Sequence, residues 1–572
     1  MTSRGKAWMA VVAVVGVLAM GIAATVLVFR TVAERVPGNS LLTIDVAGPI
    51  AERSPDSPLA GVFGGRALSL EDLRAGLLRA AADSRVRGVR LRISDFTAGF
   101  ATIQEIRSLV GRVNDAGKTT SAYLETAGEF APGNMQYLLA SACKRVVVSP
   151  LGDVNLTGLA ITTPFIRGTL DKLGIEPDFP GIGDYKTARF FYTERGFTPA
   201  DREMMTWLLD SFKAQFIEGI AASRHMEIDR ARQLFLGGPY LGPEAVTNQL
   251  IDELADWETF VEESRREGKS NLEEVSLRQY LRSGRPDESG TPIAVVIAEG
   301  TIVRGDSGYS PLPLFGGDMM GSSTLARAWR DVRDSGAKAV IFRVNSPGGS
   351  PVASEVIRAE MARTAKKIPV VVSMSDVAAS GGYWITCGAQ RVVADPGTIT
   401  ASIGVFGGHF AMSHFWEDKL GVTWGRVEGA PNADIFGTLD PWTPSQKATV
   451  GKFLDRIYGA FLDRVASSRH MTREQVDAVG RGRVFTGEQA KERGLVDELG
   501  GFDSALAAAR RLAGLAPDAP VELRYYPRTR SFWQRALERA EDSRALAGIV
   551  RALGAPTEVV TGPVWVPPII VR

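Results

Sequence analysis

The hydrophobic positions of this chain come mainly in short, nearly continuous runs that alternate with stretches of helical periodicity. In the C-terminal half these runs are IAVVIAEG from Ile293, KAVIFRVN from Lys338 and IPVVVSMSD from Ile368. A helix-patterned stretch follows each run, and the second stretch begins after a glycine turn. Apolar strands that alternate with helices are typical of βαβ units, whose parallel sheet is covered on both faces. The pattern therefore predicts an α/β fold.

The same text occurs twice, at a shift of about 245 to 252 residues. DKLGI from Asp171 returns as DKLGV from Asp418, and KRVVVSP from Lys144 returns as QRVVADP from Gln390. A repeat of this length predicts two copies of one domain.

The repeat and the local composition together divide the chain into five segments. SGRPDESGTP has the polar, Gly- and Pro-rich composition of a linker, and the last fifty residues or so carry no functional signal. The predicted segments are a membrane anchor at 1–40, a first α/β copy at 41–282, a linker at 283–292, a second α/β copy at 293–523 and a C-terminal tail at 524–572.

The N-terminal pattern differs from the rest because residues 7–29 contain 23 positions without a charge. At about 1.5 Å per residue, such a helix is roughly 35 Å long and can cross a bilayer. The apolar run is longer than the core of a usual signal peptide, and no clear cleavage site follows it. We therefore expect a retained, single-pass anchor, with Arg4 and Lys6 favouring an N-terminus inside and an exported body.

Composition excludes several other classes of protein. A net charge of +1 argues against binding nucleic acid through a broad basic surface. Two cysteines and four histidines are too few for a zinc cluster or a disulfide framework, so we expect no metal and no cofactor. Cys143 and Cys387 lie in apolar, helix-like surroundings, which predicts buried free thiols.

The two copies differ where chemistry would be expected. Ser380, in AASGGYW, stands at a strand-to-helix turn, and the first copy has Asn134 at that position. Asp376, four residues before Ser380, is expected to be a turn residue. The double glycine of NSPGGS is likewise present in the second copy alone. Conversely, Lys186 in GDYKTA belongs to the first copy and falls opposite residues 431–433, which include no lysine. One copy thus carries a candidate nucleophile and the other a candidate base.

A serine hydroxyl requires a base that is unprotonated when the hydroxyl attacks. A free lysine has a pKa of about 10.4, and burial can lower this value. The apolar neighbours of Lys186 in sequence are compatible with burial, whereas Asp184 would raise its pKa and Arg189 would lower it. Ser402, in TITASIGVFGG, is the best placed hydroxyl to hold the amine.

The oxyanion of acyl transfer needs backbone N–H donors that approach the substrate closely. Gly348 and Gly349 offer such amides because they lack side chains. Gly381 directly follows the candidate nucleophile and begins a predicted helix, where negative charge is favoured.

Four motifs, FRVNSPGGS, MSDVAASGGYW, ITASIGVFG and GDYKTA, together resemble the signal peptide peptidase A family in its long bacterial form with two tandem halves. The resemblance implies two tandem crotonase/Clp-protease-like domains after an N-terminal transmembrane helix. It also implies a Ser/Lys dyad with Ser380 as nucleophile, Lys186 as general base and Ser402 as the lysine-orienting hydroxyl. Gly348 and Gly381 would then be the oxyanion donors.

The family resemblance further implies a setting and a substrate. Its members are anchored in the bacterial inner membrane, act on its outer, periplasmic side and cleave remnant signal peptides. A homotetramer is implied as well. One departure is Thr187, since the family commonly has serine after the lysine.

Three other interpretations stay open at this point. His409 and His414 lie just past SIGVFGG and allow a Ser-His site, whereas His225 and His470 fall in the repeated SRHM and are expected to be structural. Paired glycine amides also serve crotonase-like acyl-CoA enzymes. An inactive membrane-tethered scaffold is the third interpretation, although the presence of both Ser380 and a lysine argues against it.

Overall fold

We describe a computed structural model, which covers residues 36–53, 68–266, 271–285, 289–310, 317–528 and 570–571. The predicted anchor at 7–29 and most of the predicted tail lie outside these residues. Within them, no helix is both long enough and apolar enough to cross a membrane.

The first half is built on a six-stranded parallel sheet in the order β8-β4-β3-β2-β1-β9. Its central strands are apolar on both faces, as expected when helices cover both sides. The strands of this half are β1 Ser40–Pro49, β2 Val86–Thr97, β3 Thr119–Leu124, β4 Arg145–Val148, β5 Ile161–Thr162, β6 Glu176–Asp178, β7 Gly181–Ile182, β8 Glu253–Leu254 and β9 Glu273–Ser276.

The second half repeats this plan around an eight-stranded sheet, whose main path is β20-β17-β15-β14-β10-β22. β16 pairs with β15 and β21, and only the β17–β20 pairing is antiparallel among the described strands of this sheet. The strands are β10 Thr291–Glu299, β11 Thr301–Val303, β12 Gly308–Ser310, β13 Gly317–Gly321, β14 Ala339–Ser346, β15 Val370–Ala379, β16 Arg391–Ala394, β17 Ile399–Ala401, β18 Val405–Phe406, β19 His409–Ala411, β20 Val484–Thr486, β21 Glu498–Leu499, β22 Val521–Tyr526 and β23 Ile570–Val571.

Helices cover the two sheets and enclose two main apolar cores, one in each half. In the first half they are α1 Leu70–Ala82, α2 Phe100–Asp115, α3 Asn134–Ala140, α4 Arg167–Leu173, α5 Phe190–Thr193, α6 Pro199–Ser223, α7 Ile228–Gly237, α8 Gly242–Thr247, α9 Trp257–Arg266 and α10 Leu277–Arg282. In the second half they are α11 Ser322–Arg333, α12 Pro351–Ala365, α13 Gly381–Trp384, α14 Pro444–Arg469, α15 Arg473–Val479, α16 Gly487–Glu492 and α17 Phe502–Leu512.

The repeated sequence motifs mark the ends of the two long helices, α6 and α14. Thr198 and Thr443 are their N-caps, and each is followed by a proline at the first helical position. His225 and His470 adopt left-handed backbone angles, with φ of 51° and 54°, where the same helices end. The histidines of SRHM therefore have the structural role that the sequence predicts.

Both thiols are also as predicted, since Cys143 and Cys387 are buried and free. Desolvation raises the pKa of each thiol, which keeps it in the unreactive, protonated form.

Two short strand pairs and a buried ion-pair cluster join the halves. β6 pairs with β19 and β7 pairs with β18, so first-half strands are completed by second-half strands. Arg343 on β14, 2% exposed, donates to Glu52 at 2.9 and 3.0 Å and to Glu105 at 2.8 Å. Removal of either partner alone would leave an uncompensated charge in the buried cluster, which strongly destabilises a fold.

Candidate active site

Ser380 lies at a sharp turn between β15 and α13. Its φ of 54° and ψ of −118° are unusual for a residue with a side chain, and conformations of this kind cost about 1–3 kcal/mol. The turn is held because the Ser380 N–H donates to the Ala401 carbonyl at 2.8 Å, and because Tyr383 and Trp384 N–H groups donate to the Ser380 carbonyl. The strained turn presents the hydroxyl at the end of the sheet strand.

Lys186 reaches this hydroxyl from the first half. The antiparallel pairing of β7 with β18 brings its segment against the second half, and the Tyr185 N–H donates to the Arg481 carbonyl at 3.1 Å. The backbones meet so closely that a Cβ at Gly482 would lie 2.3 Å from the backbone nitrogen of Lys186. A glycine is required at this contact, where φ is +89°.

The Lys186 amine is 1% exposed and has three polar neighbours. Its Nζ lies 3.0 Å from Ser380 Oγ, 2.9 Å from Ser402 Oγ and 3.1 Å from the Ser402 carbonyl oxygen. A neutral amine has two N–H donors and one lone pair. Both donors can point to Ser402, which leaves the lone pair to accept the Ser380 hydroxyl proton.

Burial lowers the pKa of Lys186 to about 7, and no charged neighbour contributes to this shift. The two charged residues near Lys186 in sequence, Asp184 and Arg189, do not contact the amine. Asp184 instead pairs with Arg481 at 3.0 Å on the surface, and Arg189 packs over the Phe190 ring. Desolvation alone therefore favours the uncharged amine near neutral pH.

Ser402 is held in a second strained turn. Ala401 and Ser402 both have positive φ, of 67° and 51°, and the Ser402 N–H donates to the Arg483 carbonyl at 2.8 Å. Consecutive left-handed residues are uncommon outside functional sites. Their conformation directs both oxygen atoms of Ser402 to the amine.

The candidate oxyanion donors lie beside the serine. A Cβ at Gly348 would be 2.7 Å from the Gly381 nitrogen and 2.9 Å from Ser380 Cβ, so any side chain there would collide with the Ser380 turn. The Gly348 N–H donates to Ser346 Oγ at 3.2 Å. A substrate oxyanion would therefore have to compete with this hydroxyl for the amide. A Cβ at Gly349, where φ is +151°, would lie 2.1 Å from the Ile302 carbonyl oxygen on β11.

The first half has a different arrangement at the corresponding place. Tyr137 and Tyr383 mark equivalent positions, since their hydroxyls donate to the carbonyls of Leu250 and Leu495. Asn134, 2% exposed, there donates to the Gly158 carbonyl at 2.8 Å and accepts from the Thr157 N–H at 3.1 Å. Its side chain holds a loop and offers no nucleophile.

Among the described residues, neither candidate histidine contacts Ser380. His409 Nδ1 lies 2.6 Å from the Gly437 carbonyl, and its ring stacks on Trp442 at 4.3 Å. His414 is exposed and lies 3.5 Å from Asp418. The Ser-His interpretation therefore lacks the geometry that it requires.

Sequence reasoning missed the residues of the second half that enclose the lysine. Arg481, Gly482 and Gly404 contact its segment or side chain, yet nothing in their sequence context indicates chemistry. Asp376 was also interpreted wrongly, as a turn residue. It lies within β15, and its carboxylate contacts the first half.

Comparisons with known proteins agree with this two-half arrangement. A family model described as Peptidase family S49 matches residues 116–271 and again residues 362–516. Protease 4 of Salmonella typhi is 34% identical over 504 residues, which are 83% of this chain and 78% of the relative. Serine protease SPPA, chloroplastic, of Arabidopsis thaliana is 30% identical over 505 residues, 86% of this chain and 72% of the relative.

Among solved structures, a ClpP1 mutant from Listeria monocytogenes matches 37% of this chain and 94% of its own, at 16% sequence identity. The TM-score is 0.24, which is too low to establish a common fold.

The buried amine predicts a specific dependence of stability on pH. The pKa of Lys186 is about 7 in the folded protein and about 10.4 when unfolded, so between these values the unfolded chain binds the extra proton. The free energy of unfolding therefore gains a contribution that rises with pH. Lys186→Met removes this dependence on pH. We expect the free energy of unfolding of the variant to exceed that of the wild type most at pH 7 and by less at pH 10.

Denaturant unfolding of both proteins at several pH values measures this difference. The exposed Lys213→Met variant is the control and should show a gap that does not change with pH. A constant gap for Lys186→Met as well would mean that the amine is solvated in the folded protein.

Proposed function

The chain belongs to peptidase family S49 and is a serine protease, and from that premise we propose that it is a membrane-anchored endopeptidase with a Ser380–Lys186 dyad. The observation that carries this proposal is the 3.0 Å distance between Lys186 Nζ and Ser380 Oγ in a buried site. The same amine has a pKa lowered to about 7, which suits a general base at neutral pH.

In the proposed reaction, neutral Lys186 takes the proton of the Ser380 hydroxyl as Oγ attacks the peptide carbonyl carbon. The resulting ammonium donates its proton to the leaving amine when the C–N bond breaks, which forms an acyl-enzyme. Water then attacks the ester, and Lys186 accepts its proton and returns it to Ser380. Ser402 holds the amine in line through both steps.

Backbone amides are proposed to stabilise the negative oxygen of each tetrahedral intermediate. Gly381 supplies the N–H after the nucleophile, and Gly348 supplies the second donor once its bond to Ser346 is given up. A single donor of this kind is worth about 10²–10³ in kcat. No charged side chain is needed for this role.

The substrates that we propose are remnant signal peptides and other short apolar peptides. Two features support this choice, the resemblance of the motifs to signal peptide peptidase A and the uncharged run at 7–29. A membrane anchor keeps a protease close to the peptides that the bilayer retains. We propose a single-pass anchor in the bacterial inner membrane, with the N-terminus on the cytoplasmic side and the catalytic body on the periplasmic side.

We further propose that residues 41–282 and 293–523 are two crotonase/Clp-protease-type domains, as the resemblance implies. In the described structure β10 begins at Thr291, inside the segment proposed as a linker, and β22 ends at Tyr526. The outer strands of this half therefore extend a few residues beyond the proposed limits at both ends.

A head-to-tail homotetramer is the proposed assembly. Within one chain, β6 and β7 of the first half dock on β19 and β18 of the second. The repeat places their second-half counterparts in the exposed stretch 420–430, which carries large apolar side chains such as Trp424, 53% exposed, and Val427, 101% exposed. The corresponding acceptor in the first half lies around β5. Using the same contact between chains would bury this apolar surface.

The acceptor edge is not empty in the described structure. Ile570–Val571 pair with β5 there, so a neighbouring chain would have to displace this two-residue strand.

The dyad is tested by Ser380→Ala and Lys186→Ala, each assayed for hydrolysis of a short apolar peptide. We expect both to lower kcat by at least about 10³, because each removes one half of a unit that acts together. His409→Ala serves as the matched control and should stay within a few-fold of wild type. Wild-type turnover in both dyad variants would refute the mechanism, and loss in His409→Ala alone would support a histidine base.

The assembly is tested by Trp424→Asp/Val427→Asp in the detergent-solubilised full chain. Negative charge in the stretch 420–430 should dissociate a tetramer into smaller species. Light scattering after size-exclusion chromatography measures the mass of these species. Leu236→Asp, which alters an exposed apolar residue on α7, should leave the mass unchanged. A tetramer that survives the double substitution, or a monomeric wild type, would contradict the proposed contact.

A further inference from the structure

The strand that carries Ser380 bends shortly before it reaches the nucleophile. On one side of the bend Met374 is opposite Val344 of β14, and on the other side Ala378 is opposite Ser346. Three residues of β15 therefore face the single residue Asn345, and this mismatch makes a bulge in β15. At the same point β15 changes its other neighbour from β16 to β17.

Asp376 is the central residue of this bulge, and its side chain crosses to the other half of the molecule. Its carboxylate accepts from the Thr102 N–H at 2.8 Å, the Thr102 hydroxyl at 2.7 Å and the Gly99 N–H at 3.2 Å. These donors form the N-terminal turn of α2, whose dipole favours a negative group. Asp376 thus supplies the cap of a first-half helix from the second half.

The contact leaves no room for variation on the first-half side. A Cβ at Gly99 would lie 2.1 Å from Asp376 Cγ, so the site accepts glycine and nothing larger without movement. Gly99, the N-cap residue of α2, has no side chain that could cap the helix itself. Helix and bulge therefore fix each other.

We propose that Asp376 is a positioning residue, which ties the bulge of the nucleophile strand to the half that supplies the lysine and thereby sets the Ser380–Lys186 distance. The inference rests on the proposed dyad. Because Ser380 and Lys186 belong to different halves, their 3.0 Å separation depends on how the halves are registered. Asp376 fixes this alignment of the two halves at a point four residues before Ser380. A displacement of about 1 Å at reacting atoms can cost about 10² in rate.

Burial of the Asp376 carboxylate has an energetic cost, which argues against a role in stability alone. Desolvation raises the pKa of Asp376, although the Thr102 hydrogen bonds act in the opposite direction. Keeping the carboxylate ionised at neutral pH therefore costs folding free energy. Asn has nearly the same shape and no charge, but its NH2 group cannot accept the hydrogen bonds that one carboxylate oxygen receives from the Thr102 hydroxyl and the Gly99 N–H. Asp376→Asn therefore weakens the contact while it keeps the side-chain volume.

The experiment compares Asp376→Asn with Thr102→Val, which alters the contact from the first half and leaves the nucleophile strand intact. We expect kcat for a short apolar peptide, measured well below the melting temperature of each variant, to fall at least about tenfold in both, with KM within about twofold. Thr102→Ser keeps the hydroxyl donor and should restore kcat. The double variant should be no slower than the slower single variant, because both break one contact.

Asp503→Asn is the matched control, since it removes another contact between the halves, with Arg112, that does not involve the bulge of β15. Wild-type kcat in Asp376→Asn and Thr102→Val, or an equal loss in Asp503→Asn, would overturn the inference. Loss of kcat only in proportion to a lowered melting temperature would overturn it too. Ser380→Ala is assayed alongside, because activity in that variant would refute the dyad itself and not the role of Asp376.

Discussion

The enclosure of the Lys186 amine away from water links the chemistry of the site to the packing of the two halves. Lys186 is enclosed by a half of the molecule to which it does not belong, through the β7–β18 pair and the close contact at Gly482. Enclosure lowers its pKa without help from any charge, so a break in the contact between the halves would return the amine to water and to its protonated form. The packing of the two halves therefore determines the protonation state of Lys186.

The duplication divides the proposed dyad between the two halves. Each half keeps a complete sheet and core, yet each lacks one member of the proposed dyad, so the halves are useful only together. The buried ion pairs of Arg343 with Glu52 and Glu105 and the strained turns at Ser380 and Ser402 all lie in or between the same sheets. Such features cost free energy individually and are kept where function requires a fixed geometry.

Much of this architecture could be predicted from the sequence because it is periodic or repeated. The apolar runs gave the central strands, and the difference between the copies indicated Ser380 and Lys186. Prediction failed where geometry depends on contacts between halves. Two-residue strands such as β7 and β18 have no periodic signal, and the direction of Asp184 is set by Arg481, almost 300 residues away. Asp376 was misread because a bulge inside a strand has the composition of a turn.

The dependence of kcat/KM on pH reports whether Lys186 acts as an uncharged base. If a buried, uncharged Lys186 is the base, kcat/KM for a short apolar peptide should fall about tenfold per pH unit below an apparent pKa of about 7 and level off above it. An apparent pKa close to 10, the value of a solvated lysine, would contradict the account. So would a rate that does not change between pH 5 and 8.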